Sequence, residues 1–309
     1  MTQRNWKPSP ASRREPLDSF ELAAAWNAGV RARQSLASED TVIRMMWGVD
    51  LQDDFIWGSL PVPGGEAALG RFVEWGYDNV HTITRITASA DDHMYNQIFH
   101  PAAWMDQDGN HPDPLVTGPL VITMADIRAG KWIPLLDQEW QMRYVFRLEQ
   151  AGKVLVIWPY HCIRGTKGSS LAPAWIEFMT FWAGARNAQY NHTLKGSFWG
   201  SEMYAPQEAL VPHPSDPNAK LVRLYDELVD VDQIMAGGLA ENYCFDEWAR
   251  ANISEFSTRA PEVLRRFTFN REFTAPITAI PGWEDRLRAQ YALYQQHGIT
   301  VENLNLNNL

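Results

Sequence analysis

The stretch TVIRMMWGVDLQDDF, residues 41–55, joins an apolar run to a cluster of acids. Residues 41–49 have strand length and no polar alternation, the pattern of a strand buried on both faces. Asp50 follows it directly. Such strands belong to parallel sheets, whose neighbours are reached through crossover helices. The sequence downstream supplies them. A PVPGG loop (61–65) leads to a helix with apolar Ala68, Leu69, Phe72 and Val73, closed by Gly76. Residues 80–88 are β-branched and read as a second strand. Further on, 154–158 and 188–194 read as extended, and 173–186 and 218–229 as helical. Residues 232–236 form a strand entering GGLAENYC (237–244). A helix runs from Cys244 to about Phe256, then a strand at 266–273, a helix at 283–296 and a short strand at 299–301. This alternation predicts an α/β fold, a three-layer αβα sandwich around a mostly parallel sheet. In such sheets ligands collect at the carboxyl ends of strands.

Outside the alternating part, residues 1–17 are basic and polar with no apolar h-region behind them, and read as a flexible tail. Asp18 and Glu21 have capping-box spacing before an Ala-rich helix at 20–36, within an N-terminal extension spanning 18–40. The main domain is then 41–309. Residues 94–157, rich in Pro, Trp and Gly, are too long for a connection and read as an insertion.

Composition narrows the function. The chain has 309 residues, 45% hydrophobic and 21% charged, which is a globular balance. Two cysteines far apart exclude a disulfide scaffold and a zinc finger, and point to a reducing, cytoplasmic setting. A net charge of -10 without a basic stripe argues against nucleic acid. No apolar run reaches the length of a membrane span. Neither GxGxxG, a Walker loop nor GxSxG occurs.

Three reactive groups stand at strand ends: Asp50, Lys195 after 188–194, and Cys244 at a helix N-terminus. A thiol placed there beside a cation is expected to have a lowered pKa and act as a nucleophile. A carboxylate in reach can take its proton and return it to a leaving group. Each also has an ordinary reading: a turn cap, a surface Lys-Gly turn, a small buried hydrophobe. Asp91 and His93 form an Asp-x-His pair whose side chains share one side of an extended segment, which suits two ligands of one metal. His161 in WPYHC (158–162) is a third candidate and His100 in IFHP a rival.

As a set, these motifs resemble the isochorismatase-like cysteine hydrolases, on their nicotinamidase-related side. The matching segments are DLQDDF with PVPGG, DDH (91–93), WPYHCIRGT (158–166), KG (195–196) and GLAENYC (238–244), in the family's order. The resemblance implies a catalytic triad of Asp50, Lys195 and Cys244. It also implies a cis peptide at Leu239-Ala240 and an oxyanion hole from the amides of Ala240 and Cys244. Asp91, His93 and His161 would hold a divalent metal, zinc or iron. The implied partner is a small-molecule amide, and the implied assembly a homo-oligomer. Asp53 and Asp92 depart from the usual residues at their positions. The insertion is expected to build one wall of the substrate pocket, with His100 and Trp104 as lining candidates. Hydrolysis of a ureido or carbamoyl group, or a catalytically silent binding module, are the alternatives.

Overall fold

The computed structural model describes residues 7–280 and 282–304. Its centre is a six-stranded parallel sheet: β1 (Arg44–Val49), β2 (Arg85–Asp91), β3 (Asn191–Lys195), β4 (Gln233–Leu239), β5 (Phe267–Ala275) and β6 (Thr300–Glu302), in spatial order β6-β5-β4-β1-β2-β3. The chain moves outward from β1 to β3, then returns to the other side of β1 as β4. The switch in direction therefore falls between β1 and β4, where parallel sheets open a crevice at their carboxyl ends.

One face is covered by α2 (Gly65–Asp78) and α4 (Pro173–Arg186). The other carries α5 (Arg223–Val229), α6 (Cys244–Arg259) and α7 (Trp283–Gln296). Two buried clusters, one per face, make up the core. The chain is thus a three-layer αβα sandwich, as the alternation predicts. Among the described residues no helix is long and apolar enough to cross a membrane.

The N-terminal helix α1 (Ser19–Ala32) starts at the Asp18–Glu21 capping box and lies against α4. Its approach depends on glycine. A Cβ at Gly29 would stand 2.0 Å from the Phe181 carbonyl oxygen, and one at Gly184 would stand 2.3 Å from the Trp26 carbonyl oxygen. Gly29→Leu is therefore expected to cost about 3 kcal/mol by forcing the helices apart, read as a lowered denaturation midpoint. Within the segment read as a tail, the Ser9 amide donates to Glu177 at 2.7 Å and Arg13 pairs with Glu21. Residues 1–6 lie outside the described residues.

Several local expectations differ from the structure. Gly76 does not end α2, which continues to Asp78. Its missing side chain instead makes room for the Phe178 ring, 2.5 Å from where its Cβ would be. The helix expected from 218 begins only at Arg223, because the backbone just before it pairs with 207–209. Leu155–Ile157 is a strand, but it pairs antiparallel with Leu120–Ile122 in a small separate sheet. The segment 94–157 also contains a helix α3 (Gln138–Gln150) and a short pairing of 104–105 with 133–134. It is bound to the body by the Trp140 indole on the Gly200 carbonyl (2.6 Å) and the Trp158 amide on the Phe99 carbonyl (2.9 Å).

Candidate active site

Four strand ends deliver the chemistry. Asp50 directly follows β1, Asp91 ends β2, Lys195 ends β3, and the turn after β4 leads to Cys244, the first residue of α6. The β1–β4 contact is kept close by Gly238. Its φ is +135°, and a Cβ there would lie 2.0 Å from the Val49 carbonyl oxygen. Gly237 and Gly238 thus belong to β4 itself, which runs on to Leu239, past the end expected at 236. The Leu239-Ala240 peptide is cis. Beyond it the Ala240 carbonyl accepts from the amides of Tyr243 and Phe245, which closes the turn that presents Cys244.

Lys195 is the hub. Its ammonium donates to Asp91 Oδ1, to the Met203 carbonyl at 2.9 Å and toward Cys244 Sγ at 3.8 Å. With those donors engaged, Asp50 Oδ2 stands 3.0 Å from Nζ as an ion pair without a directed hydrogen bond. Asp50 Oδ1 accepts from the Ser89 hydroxyl at 2.7 Å. Acidic oxygens of Asp50 and Asp91 and the Cys244 sulfur lie within 4.8 Å of one another. Asp50, Lys195 and Cys244 are all buried, at 0%, 2% and 5% exposure.

The electrostatics correct one expectation. Burial pushes the Cys244 thiol well up, and Asp50 and Asp91 push it further, with Lys195 acting against them. The helix N-terminus does not make it a resting thiolate, because a buried sulfur beside two carboxylates loses more in solvation than the cation returns. Burial also raises Asp50, to about 6, with Lys195 opposing. Burial works against Lys195, but Asp50 and Asp91 hold its pKa well above the ordinary value. The result is a protonated thiol facing a carboxylate.

Asp91, His93 and His161 gather beside this group, with one donor atom of each within 4.8 Å of the others. His93 Nδ1 meets the Gly196 carbonyl at 2.9 Å and His161 Nδ1 meets the Pro159 carbonyl at 2.7 Å. A carbonyl only accepts, so both Nδ1 atoms carry a proton and Nε2 is the nitrogen of each ring that can turn to a metal; that of His93 faces Asp91 Oδ2 at 3.5 Å. His93 Nε2 is buried without a hydrogen-bond partner. This orphaned donor, with a carboxylate and a second imidazole, fits a divalent ion. Asp92 secures the same region by pairing with Arg164 of the 158–166 loop.

His100 joins the histidines, its ring centroid 5.7 Å from that of His93 and 5.5 Å from that of His161. Trp104 does not take a place among these rings. It is wholly buried, and its indole donates to the Ile98 carbonyl at 2.7 Å, inside the insertion. Cys162 is a buried packing residue whose thiol is pushed up by burial.

Three contributors escaped the sequence reading. Gln52, inside DLQDDF, donates to the Asp91 carbonyl (2.8 Å) and accepts from the Asp91 amide (2.7 Å), fixing the end of β2 to the end of β1. Glu202 is buried near Asp91, His93 and Lys195, and burial raises it to about 7. Its amide donates to the Tyr144 hydroxyl of α3, tying the insertion to the Lys195 side of the site. Glu241 accepts from Tyr291 and Arg271, and the neighbouring Asn242 side chain bonds both ways to the Ile277 backbone. These contacts fix the turn before Cys244 to the C-terminal β5–α7 unit. Gln52 lies within a motif and was open to notice. Glu241 likewise lies within a motif, GLAENYC, whereas Glu202 carries no local signal.

No family model and no curated protein matches the chain. Solved structures do. The yeast nicotinamidase Pnc1p, bound to the inhibitor nicotinaldehyde, aligns at 19% identity with a TM-score of 0.56, covering 85% of this chain and 100% of that one. A nicotinamidase/pyrazinamidase from Acinetobacter baumanii aligns at 17% identity with a TM-score of 0.53, covering 85% and 97%. The chain has the isochorismatase-like three-layer α/β fold. It shares that fold with these nicotinamidases.

Proposed function

We propose that the protein is an amidohydrolase that cleaves the C–N bond of a small-molecule amide through a thioester on Cys244. The observation that carries this reading is the buried cluster of Asp50, Lys195 and Cys244 at the switch point of the sheet. Asp50 Oδ2, which has no directed hydrogen bond, takes the Cys244 proton. The thiolate attacks the substrate carbonyl carbon, and the amides of Ala240 and Cys244 hold the oxyanion. Asp50 returns the proton to the nitrogen as the C–N bond breaks and the amine leaves. Water, deprotonated by Asp50, then hydrolyses the thioester and restores the thiol. Lys195 holds Asp50 and Asp91 apart and stabilises the thiolate as it forms.

Asp91, His93 and His161 would hold zinc or iron. When bound, the ion supplies a Lewis-acid anchor for a lone pair of the substrate. Purified protein is expected to carry one divalent ion per chain, and His93→Ala to lower that content at least about tenfold, as losing a ligand from a small donor set does. Elemental analysis of both proteins checks this.

The test of function is ammonia release across aromatic and aliphatic amides, nicotinamide included, together with ureas and carbamates. Release from amides supports the reading, and silence across the set overturns it. The pH profile adds a check. The base form of Asp50 is needed and its pKa is raised to about 6. kcat/KM should therefore hold steady above that value and fall about tenfold per unit below it. A profile flat down to pH 4 would remove Asp50 from the role of base.

A further inference from the structure

A cavity of about 600 Å³ lies away from the catalytic atoms. It runs between the insertion and the start of α6, and its walls include Tyr204, Asn242 and Tyr243, the last directly preceding Cys244. This is the size of a pocket for a small organic ligand. The catalytic groups themselves are nearly closed off, so a substrate has to reach them from an adjoining space.

An aromatic cluster links the cavity wall to the catalytic segments. The Tyr243 ring meets Trp158 edge-on at 5.0 Å and Tyr204 at 5.5 Å, and the Trp158 indole donates to the Tyr204 hydroxyl at 2.9 Å. Each ring comes from a different catalytic segment. Trp158 begins the His161 loop, Tyr204 follows the Met203 carbonyl that Lys195 holds, and Tyr243 begins the Cys244 helix. Access from the cavity to Cys244 would run past these rings, since Tyr243 lines the cavity and directly precedes Cys244.

The chemistry of the cavity selects its ligand. Val121, Val154, Val156 and Ile280 give it an apolar wall. Of its cations, Lys153 is engaged by Glu247 at 2.7 Å and Arg250 by Asp246 at 2.8 Å. Arg286, on α7, has no ion pair with a carboxylate among the described residues. Its guanidinium lies 5.9 Å from the centroid of the Tyr243 ring. An apolar wall ending at a guanidinium that touches Tyr243 and that no carboxylate neutralises among the described residues suits a molecule with an apolar body and an anionic end.

We propose that this cavity is the acyl-side substrate channel, that Arg286 reads an anionic group there, and that the preferred amide carries a carboxylate separated from its amide by an apolar spacer. The proposal rests on the amidohydrolase reading for its turnover test, but its binding test does not. Arg286 is a specificity residue on the outer side of Tyr243, while the scissile carbonyl passes inward to Cys244.

Adipic acid monoamide and hexanamide make a matched pair differing in the terminal carboxylate. Wild type is expected to favour the monoamide at least about tenfold in kcat/KM, the scale of one charge-assisted contact. Arg286→Ala should bring the ratio near one, and Arg286→Glu should invert it. Calorimetric titration of the Cys244→Ala protein with the monoamide should show binding that is lost on adding Arg286→Ala or Val154→Trp, which fills the cavity from an exposed position. A ratio near one in wild type, or one indifferent to Arg286, overturns the proposal. So does binding that persists when Val154→Trp fills the cavity. If neither amide is turned over but monoamide binding depends on Arg286, the amidohydrolase reading fails and the channel stands. If hexanamide or nicotinamide is hydrolysed and the monoamide neither binds nor reacts, the channel fails and the amidohydrolase stands.

Discussion

Cys244→Ala is expected to lower turnover by about four orders of magnitude or more, the scale seen when a nucleophile is removed from a unit that acts together. The reason lies in the order of events. Asp50 Oδ1 is occupied by the Ser89 hydroxyl, and Oδ2 is the oxygen left to activate the Cys244 thiol in the first step. What is left is direct attack by water, unassisted by a covalent intermediate. The fold should survive, since Ala retains the backbone of the first turn of α6 and loses only one buried sulfur, a cost of about 1 kcal/mol. Ammonia release and a thermal melt, measured on the same preparation, separate the two effects. A variant that melts like wild type and turns over at a near wild-type rate would remove Cys244 from the mechanism. Cys162→Ser makes the control. That thiol faces the Gly168 carbonyl at 3.8 Å, so most activity should remain. The raised thiol pKa changes what labelling reports. Cys244 is a buried thiol at neutral pH, so free enzyme should alkylate slowly below pH 8, contrary to what its helix N-terminus suggests.

How far the sequence could be read follows from which forces are local. Asp50 could be placed because a strand buried on both faces excludes charge until it ends, so an acid beside such a run marks its carboxyl end; Lys195 could be placed only by its following an extended segment, which is a half-exposed edge strand. Cys244 could be placed because GLAENYC breaks one periodicity and starts another. The αβα layering followed from the same alternation, and 173–186 and 283–296 match their helices residue for residue. What failed is what depends on a distant partner. Nothing in VLVIW (154–158) says that its strand pairs with Leu120–Ile122 and stays out of the central sheet. Residues 218–222 have helical patterning, but their backbone is drawn into pairing with 207–209. Gly76 looks like a stop, yet its purpose is a contact with Phe178, a hundred residues on. The sign of the Cys244 shift was also out of reach, because burial and the second carboxylate, Asp91, come from the assembled sheet. Trp104 illustrates the same limit: a Trp in an insertion reads equally as pocket wall or as core, and only the Ile98 carbonyl it bonds assigns it to the core.

Lys195→Met is the second large effect, and it should act on stability as well as on activity. The ammonium is the cation that holds two buried carboxylates, Asp50 and Asp91, in one site. Its partners are nearly without solvent, at 0% and 3% exposure, so removing it leaves like charges facing each other in a medium that cannot screen them. Breaking a buried pair in this way costs about 3–5 kcal/mol. The Met203 carbonyl loses its donor as well. The stem of Met fills the space of the Lys stem, so the cost is electrostatic and not a cavity. A double variant provides the check. Lys195→Met with Asp50→Asn removes one of the two stranded charges, and its denaturation midpoint should lie between those of Lys195→Met and wild type. Additivity of the two single changes would mean that Asp50 and Lys195 do not interact, which the 3.0 Å ion pair forbids. Turnover, by contrast, should not return in the double variant, because Asn cannot take the thiol proton. Stability partly restored while activity stays at the floor is the result that distinguishes a charge hub serving both the fold and the chemistry from a Lys that merely packs.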